Sequence, residues 1–233
     1  MFSFVKTFIL RIIGVLSLLL YSIFNKGFTY KNRGIILVFF RLKGSAHLDF
    51  KKGVMVNSRI NIKGKNNILI FEENVQIRNC IFLIKGDNCI LHIRGNRQIV
   101  DTRFELLDSN NQIIVGSNTG FNRNRILVAG NNNRIVIGSD CIFAENAEIW
   151  ASDTHSIIDI NTNERINKDK EISIGNRVWI GNRVLIHKGV SIGNDSIVAA
   201  GSIVTKAVAN NTLVAGIPAV PIKNNLKWDT RRL

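Results

Sequence analysis

A six-residue spacing of aliphatic side chains is the feature that most restricts how this chain can fold. Between residues 172 and 207, isoleucine or valine occupies Ile174, Ile180, Ile186, Ile192, Val198 and Val204. The same spacing joins Ile137, Phe143 and Ile149. An even period places every marked side chain on the same side of a strand, with one corner in each repeat. The spacing therefore predicts a solenoid that buries one continuous aliphatic column.

A longer period marks the preceding region, from about residue 60 to 150. Turns rich in glycine and asparagine begin at Gly64, Gly86, Ser109 and Gly130, which are 22, 23 and 21 residues apart, and alternating aliphatic residues follow each turn. Asparagine and glycine tolerate positive φ, so these turns are predicted corners. Alternation with a period of two identifies the aliphatic residues as strand residues. The spacing alone leaves the hand of the coil open, because parallel crossovers are usually right-handed.

The first 26 residues differ from the repeats. From Ile12 to Phe24 the chain is almost wholly apolar, a run shorter than the roughly 20 residues that a membrane-spanning helix needs. On a helix, the polar residues share one narrow arc, which favours a helix lying in a membrane interface; packing against a protein neighbour is the alternative. We predict an amphipathic, membrane-associated helix over 1–26, a β-helix domain over 27–212 with an inserted loop at 151–171, and a C-terminal tail over 213–233.

The composition limits the partners and the compartment. The formal net charge of +14 suggests an anionic partner, such as an acidic bilayer, a phosphorylated cofactor or an acidic polysaccharide. Nucleic acid is not expected, since no zinc-finger spacing, RNP-like motif or basic helical run appears. The cysteines Cys80, Cys89 and Cys141 form no CxxC pair, which predicts inward packing and a reducing, cytoplasmic compartment. No His or Cys cluster has metal-ligand spacing, so no metal site is expected.

The six-residue rhythm stops between residues 149 and 172. Ser152 stands 22 residues after Gly130, where the next corner is due, so Asp153 and His155 replace turn asparagines. A loop that leaves a rigid solenoid is a favourable place for function. A neutral imidazole, whose ordinary pKa is about 6.5, suits a general base, and Asp153 or a backbone carbonyl would hold its other ring nitrogen. A capped turn is the alternative for His155.

The region that follows resembles a known family. The matching segments are Asp153-Thr154-His155, residues 174–181, 189–193 and 200–206, and Gly216-Ile217-Pro218-Ala219. In this order, they are similar to the hexapeptide-repeat acyltransferases, in particular the sugar O-acetyltransferases such as the galactoside and maltose enzymes. The resemblance is close over about 135–223. One departure is His187-Lys188-Gly189, where the family usually has a proline before the glycine.

The resemblance implies left-handed β-helical coils and a homotrimer, with each active site between two subunits. It implies that His155 is the catalytic base, beside Asp153, and that Trp179 is a wall of the site. It implies acetyl-CoA as donor, in a channel lined by Gly181, Asn182, Ala200, Thr205, Lys206 and Lys223. Apart from the resemblance, the bulk of Trp179 among small residues favours lining a cleft, with packing against a neighbouring subunit as the alternative. The two lysines would equally be solvated surface charges.

These observations predict an all-β chain, a parallel β-helix with an N-terminal apolar helix, and the resemblance implies that its coils are left-handed. We expect an acetyl-CoA-dependent O-acetyltransferase that modifies a sugar hydroxyl of a bacterial surface polysaccharide or its precursor. We expect it in the cytoplasm, with the N-terminal helix on the inner face of the membrane. Two alternatives stay open: N-acetylation of a nucleotide-linked amino sugar, and a non-catalytic solenoid that binds glycan.

Overall fold

The computed structural model describes residues 28–32, 34–95 and 98–231. The helix predicted over residues 1–26 lies outside the described residues. The described elements are β-strands, which join in one sheet of 20 strands wound into a solenoid. The prediction of an all-β parallel β-helix is therefore confirmed. In these three stretches no helix has the length and apolar composition to cross a bilayer.

The strands follow one another along the chain, and most contain two to five residues. In order they are β1 Phe28–Asn32, β2 Ile35–Arg78, β3 Ile81–Lys85, β4 Ile90–Ile93, β5 Ile99–Val100, β6 Arg103–Leu107, β7 Gln112–Val115, β8 Gly120–Asn122, β9 Arg125–Val128, β10 Arg134–Ile137, β11 Ile142–Phe143, β12 Glu148–Trp150, β13 Ile172–Ile174, β14 Trp179–Ile180, β15 Leu185–His187, β16 Ser191–Ile192, β17 Ile197–Val198, β18 Ile203–Val204, β19 Leu213–Gly216 and β20 Ala219–Lys223. The long β2 continues through corners and pairs with β3, β4 and β5.

Three parallel ladders form the faces of the solenoid. Face A contains β4, β7, β10, β13 and β16. Face B contains β5, β8, β11, β14, β17 and β19. Face C contains β3, β6, β9, β12, β15 and β18. After β19 the chain turns back, and β20 pairs with β19 in an antiparallel hairpin.

The register of the ladders reproduces both sequence periods. In the middle coils a residue pairs with the residue 22 positions later, as Ile68 does with Ile90. In the C-terminal coils the offset falls to 18, as between Ser173 and Ser191, so that three hexapeptides complete one coil. Across the interruption Ile135 pairs with Ile172, 37 positions later. The chain therefore leaves the coil as a loop and returns to the same ladder.

The interior is a continuous apolar column, as the six-residue spacing predicts. The marked aliphatic residues of the C-terminal coils are all buried. Upstream, six phenylalanine rings continue the column, with successive ring centroids 4.6 to 5.9 Å apart: Phe50, Phe71, Phe82, Phe104, Phe121 and Phe143. Such spacings are typical of favourable aromatic contacts. The three cysteines are also buried, which confirms their predicted inward packing.

The predicted corners have the backbone conformation that their asparagines permit. Asn66, Asn88, Asn110 and Asn132 all have φ between 56° and 60°. Their side chains stack along the corner, where the amide of Asn66 donates to Asn88 at 3.3 Å and that of Asn88 donates to Asn110 at 3.1 Å. Asparagine is enriched in this region of φ because its short polar side chain bonds locally.

Candidate active site

The site begins at the corner where the chain leaves the solenoid. Thr154 stands 22 residues after Asn132 and has the same left-handed backbone, with φ of 61°. A β-branched residue is rarely found in this conformation, and its strain is typical of functional sites. The hydroxyl of Ser152 accepts a hydrogen bond from the backbone N–H of Thr154 at 2.9 Å. The corner geometry of the repeat therefore continues to the residue before His155.

His155 is exposed at the start of the loop. Its backbone carbonyl accepts a hydrogen bond from the side-chain amide of Asn167 at 2.8 Å. Among the described residues its ring makes no hydrogen bond, so both ring nitrogens are accessible to a bound molecule. An accessible imidazole beside a fixed backbone has the arrangement that a general base needs.

Asp153 forms no hydrogen bond with the His155 ring among the described residues. Its Oδ2 accepts a hydrogen bond from Asn167 Nδ2 at 2.8 Å and forms an ion pair with Lys188. Burial raises the pKa of Asp153, but the hydrogen bonds from Lys188 and Asn167 outweigh it, so the pKa falls below its ordinary value of 3.8. Asp153 is therefore a carboxylate at neutral pH, and it contacts Asn167 and Lys188 in place of the imidazole.

A groove of about 480 Å³ lies along face C next to this corner. It is lined by Asn146, Glu148, Trp150, Ser152, Asp153, Arg183, Val184, Leu185 and His187. The indole N–H of Trp150 donates to Glu148 at 2.8 Å, and the guanidinium of Arg125 lies 4.6 Å from the Trp150 ring centroid. The groove lining includes Asp153, two residues before His155, and Trp150 gives it an aromatic side chain.

A second set of contacts fastens the loop to the solenoid. Ser152 donates a hydrogen bond to Asp169, and Arg165 binds both oxygens of Asp169 at 3.1 and 3.2 Å. The outer part of the loop is a short hairpin, closed by an antiparallel bridge between Ile158 and Arg165. These partners were not found from the sequence, since a loop without a period gives no spacing to compare.

The structure divides the predicted cofactor residues into three places. Gly181 and Asn182 form a corner between faces B and C, with Ala200 on the next coil; a Cβ on Gly181 would lie 2.6 Å from the Ala200 nitrogen, which requires glycine there. Thr205 and Lys206 are exposed just after β18 on face C. Lys223 ends β20, opposite Leu213 in the C-terminal hairpin. No group of three or more metal-ligating side chains occurs in the described part of the chain.

Trp179 lies on face B and is 42% exposed. Its ring centroid is 6.2 Å from that of Trp228 in the C-terminal tail, a neighbour that the sequence did not indicate. His155 lies at the end of face C instead. Within one protomer, the predicted base and the predicted wall are therefore on different sides of the solenoid.

The sequence and the structure of this chain are similar to those of known proteins. Residues 171–206 match the family model described as bacterial transferase hexapeptide (six repeats). The solved structure of the polySia specific acetyltransferase NeuO is 31% identical, with 89% of this chain and 91% of that chain covered and a TM-score of 0.66. The polysialic acid O-acetyltransferase OatWY is 26% identical over 88% and 92%, with a TM-score of 0.69. No match was found among curated protein sequences.

The chain belongs to the hexapeptide-repeat acyltransferases. As a member of that family, it is an enzyme that transfers an acyl group, and the matched repeats include the buried column of the C-terminal coils. The departure at His187-Lys188-Gly189 has a structural consequence, because Lys188 contributes the ammonium that pairs with Asp153 and also donates to the carbonyl of Asn167 at 2.8 Å. In this hexapeptide-repeat acyltransferase, Lys188 in the corner after β15 therefore holds the inserted loop in place.

Proposed function

We propose that this chain is an acetyl-CoA-dependent O-acetyltransferase of an acidic bacterial surface polysaccharide, with His155 as general base. The observation that carries the proposal is the likeness to a polySia specific acetyltransferase, at 31% identity over about nine-tenths of both chains. The net charge of +14 supports an anionic acceptor, since long-range attraction raises the local concentration of a polyanion.

The proposed chemistry needs no covalent enzyme intermediate, because the thioester is already activated. His155 removes the proton of a sugar hydroxyl as its oxygen attacks the acetyl carbonyl. The tetrahedral intermediate then expels CoA as a thiolate. The imidazolium donates to this thiolate the proton that it took from the sugar hydroxyl. The products are an acetyl ester and free CoA. The exposed His155 ring supports this role, since it is accessible to an incoming alcohol.

The decisive experiment is acetyl transfer from labelled acetyl-CoA to a panel of glycans that includes polysialic acid. Substituting His155→Ala is expected to lower kcat by about 10² to 10⁴, the usual contribution of a general base, while CoA binding persists. His47→Ala is the matched control, because His47 bonds Thr29 on the first coil. Full activity in the His155 variant, or no turnover by the wild type, would contradict the proposal; the second result would favour a glycan-binding solenoid.

The bond in the product separates O-acetylation from N-acetylation. An acetyl ester is lost in mild base, whereas an amide survives the same treatment. We expect mass spectrometry to show loss of the acetyl group after mild base. A base-stable product on a nucleotide-linked amino sugar would instead show that the chain is an N-acetyltransferase.

We propose a homotrimer in which neighbouring subunits complete each site. Two observations support this: His155 and Trp179 lie on different sides of one protomer, and the loop exposes a cluster of isoleucines. These are Ile157, Ile158, Ile160 and Ile166, all at least 48% exposed. Exposed apolar surface of this kind is typical of interaction sites. Sedimentation of the purified protein as a monomer would contradict the trimer.

Membrane association through residues 1–26 is a separate proposal, based on the apolar, amphipathic sequence of that segment. Deleting residues 1–26 is expected to move the protein from the membrane pellet to the supernatant. An unchanged distribution would contradict it.

A further inference from the structure

The side chain of Asn167 binds three alternate residues around His155. Its Nδ2 donates to Asp153 Oδ2 and to the backbone carbonyl of His155, both at 2.8 Å. Its Oδ1 accepts the backbone N–H of Ile157 at 2.7 Å. One amide thus contacts the residue two before the proposed base, the base itself and the residue two after it. The backbone that carries the imidazole is therefore held from both sides.

Lys188 ties the backbone of Asn167 to the rigid part of the molecule. It follows β15 on face C and donates to the backbone carbonyl of Asn167 at 2.8 Å. The same ammonium pairs with Asp153, so it binds both residues of the Asn167–Asp153 pair. The Lys188 side chain is 15% exposed, which limits competition from water. The contacts therefore connect the His155 backbone to a strand of the solenoid.

We propose that Asn167 is a positioning residue for the acetyl-transfer step. It fixes the backbone on both sides of His155, and Lys188 in turn binds Asn167. This inference rests on the proposed function of His155. The sequence alone would give Asp153 the task of orienting His155, whereas the contacts give that task to Asn167 and Lys188. Asp153 accepts hydrogen bonds from Asn167 and Lys188, and the ring of His155 stays open to the acceptor.

The direct test is Asn167→Asp, which preserves size and the acceptor for Ile157 but replaces both donors. The new carboxylate would face Asp153 and the His155 carbonyl. We expect kcat to fall about tenfold or more, because small errors in the position of a reacting group are costly, while KM for acetyl-CoA stays within about twofold. The matched control is Asn161→Asp, the same change on the same loop at a side chain without a hydrogen bond among the described residues; it should leave kcat unchanged.

A double substitution distinguishes positioning from a general structural role. If Asn167 acts through His155, Asn167→Asp should lower kcat in the wild type but not further lower the residual rate of His155→Ala. An equal fold-loss in both backgrounds would overturn the proposal, as would wild-type kcat in Asn167→Asp. If that variant does not fold, Lys188→Met decides: the inference requires a lower kcat with unchanged KM for acetyl-CoA. A His155→Ala enzyme with full activity would instead refute the proposed function.

Discussion

Trp228 donates its indole N–H to the backbone carbonyl of Arg177 at 2.7 Å, although 51 residues separate them in the sequence. The Arg177 side chain returns a hydrogen bond to the Trp228 carbonyl at 3.3 Å, and its guanidinium lies 5.8 Å from the Trp228 ring centroid. These contacts fasten the C-terminal tail beside Trp179 on face B. The exposed wall predicted for the site therefore has an aromatic neighbour from the end of the chain.

Removing that indole should release the tail. In Trp228→Ala the hydrogen bond and the ring contact are both lost, so we expect trypsin to cut at Lys227 faster than in the wild type, because local opening exposes the bond. Trp228→Phe retains a ring and should be intermediate. Trp150→Ala, on face C, is the control and should leave cleavage at Lys227 unchanged. Equal rates in all four proteins would show that the contact does not hold the tail.

Activity should recover when two inactive subunits are combined. If each site takes His155 from one subunit and Trp179 from its neighbour, co-expressed His155→Ala and Trp179→Ala chains will form some sites with both native residues. We expect each variant alone to be impaired and the mixture to regain a measurable fraction of wild-type kcat. A mixture that gives only the average of the two variants would place both residues in one subunit's site.

The ion pair of Asp153 with Lys188 should make stability depend on pH in acid. The folded-state pKa of Asp153 is lowered, so its contribution is present above the ordinary value of 3.8 and is lost as the pH falls through the lower folded-state pKa. Urea unfolding should show the wild type more stable than Asp153→Asn at pH 7, with a difference that shrinks below about pH 4. Glu164→Gln, at a loop carboxylate without a hydrogen bond among the described residues, should show no such trend.

The buried cysteines should resist thiol reagents in the native protein. Burial raises the pKa of the Cys80 thiol to about 12 and that of Cys141 to about 11, so little thiolate forms at neutral pH. Labelling with a thiol reagent should require denaturant, whereas a Ser173→Cys variant, at an exposed strand position, should gain one fast-reacting thiol. Rapid labelling of the unmodified native protein would contradict the buried placement.

Restoring the repeat's own residue at the strained corner should stabilise the fold. Thr154 has a φ of 61°, and the asparagines at the equivalent corners of the preceding coils have φ between 56° and 60°. Thr154→Asn should raise stability by about 0.5 to 1 kcal/mol, a part of the roughly 1 to 3 kcal/mol that such strain costs. Thermal unfolding at matched protein concentration measures it. The reverse change, Asn132→Thr, should lower stability at the preceding corner.

The apolar column and the corners could be predicted because every coil needs the same things, a buried apolar side chain on each face and a residue that tolerates positive φ at each corner. Six-residue spacing identified the buried face of every C-terminal coil, and asparagine marked corners of positive φ in the middle coils, as at Asn66 and Asn88. The resemblance over 135–223 added the family, which the 31% identity to a known acetyltransferase confirms. The roles of the individual site residues stay predictions.

The contacts that hold the loop were not predictable from spacing. Asn167 and Lys188 lie 14 and 35 residues from Asp153, in segments where the period is interrupted or departs from the family pattern. A hydrogen bond between such positions leaves no periodic trace in a single sequence. The same holds for Trp228, whose partner Arg177 is an ordinary corner residue within the repeats.

The pairing of Ile135 with Ile172 continues the ladder that already joins Ile113 to Ile135. The pairing of the coils on either side of the inserted loop therefore does not depend on the length of the loop. Extra residues at its tip, near Asn161, would only enlarge a closed ring, whose entropic cost grows with the logarithm of ring size. Descendants of this chain can thus vary the length and sequence of that tip while the coils on either side go on folding as before.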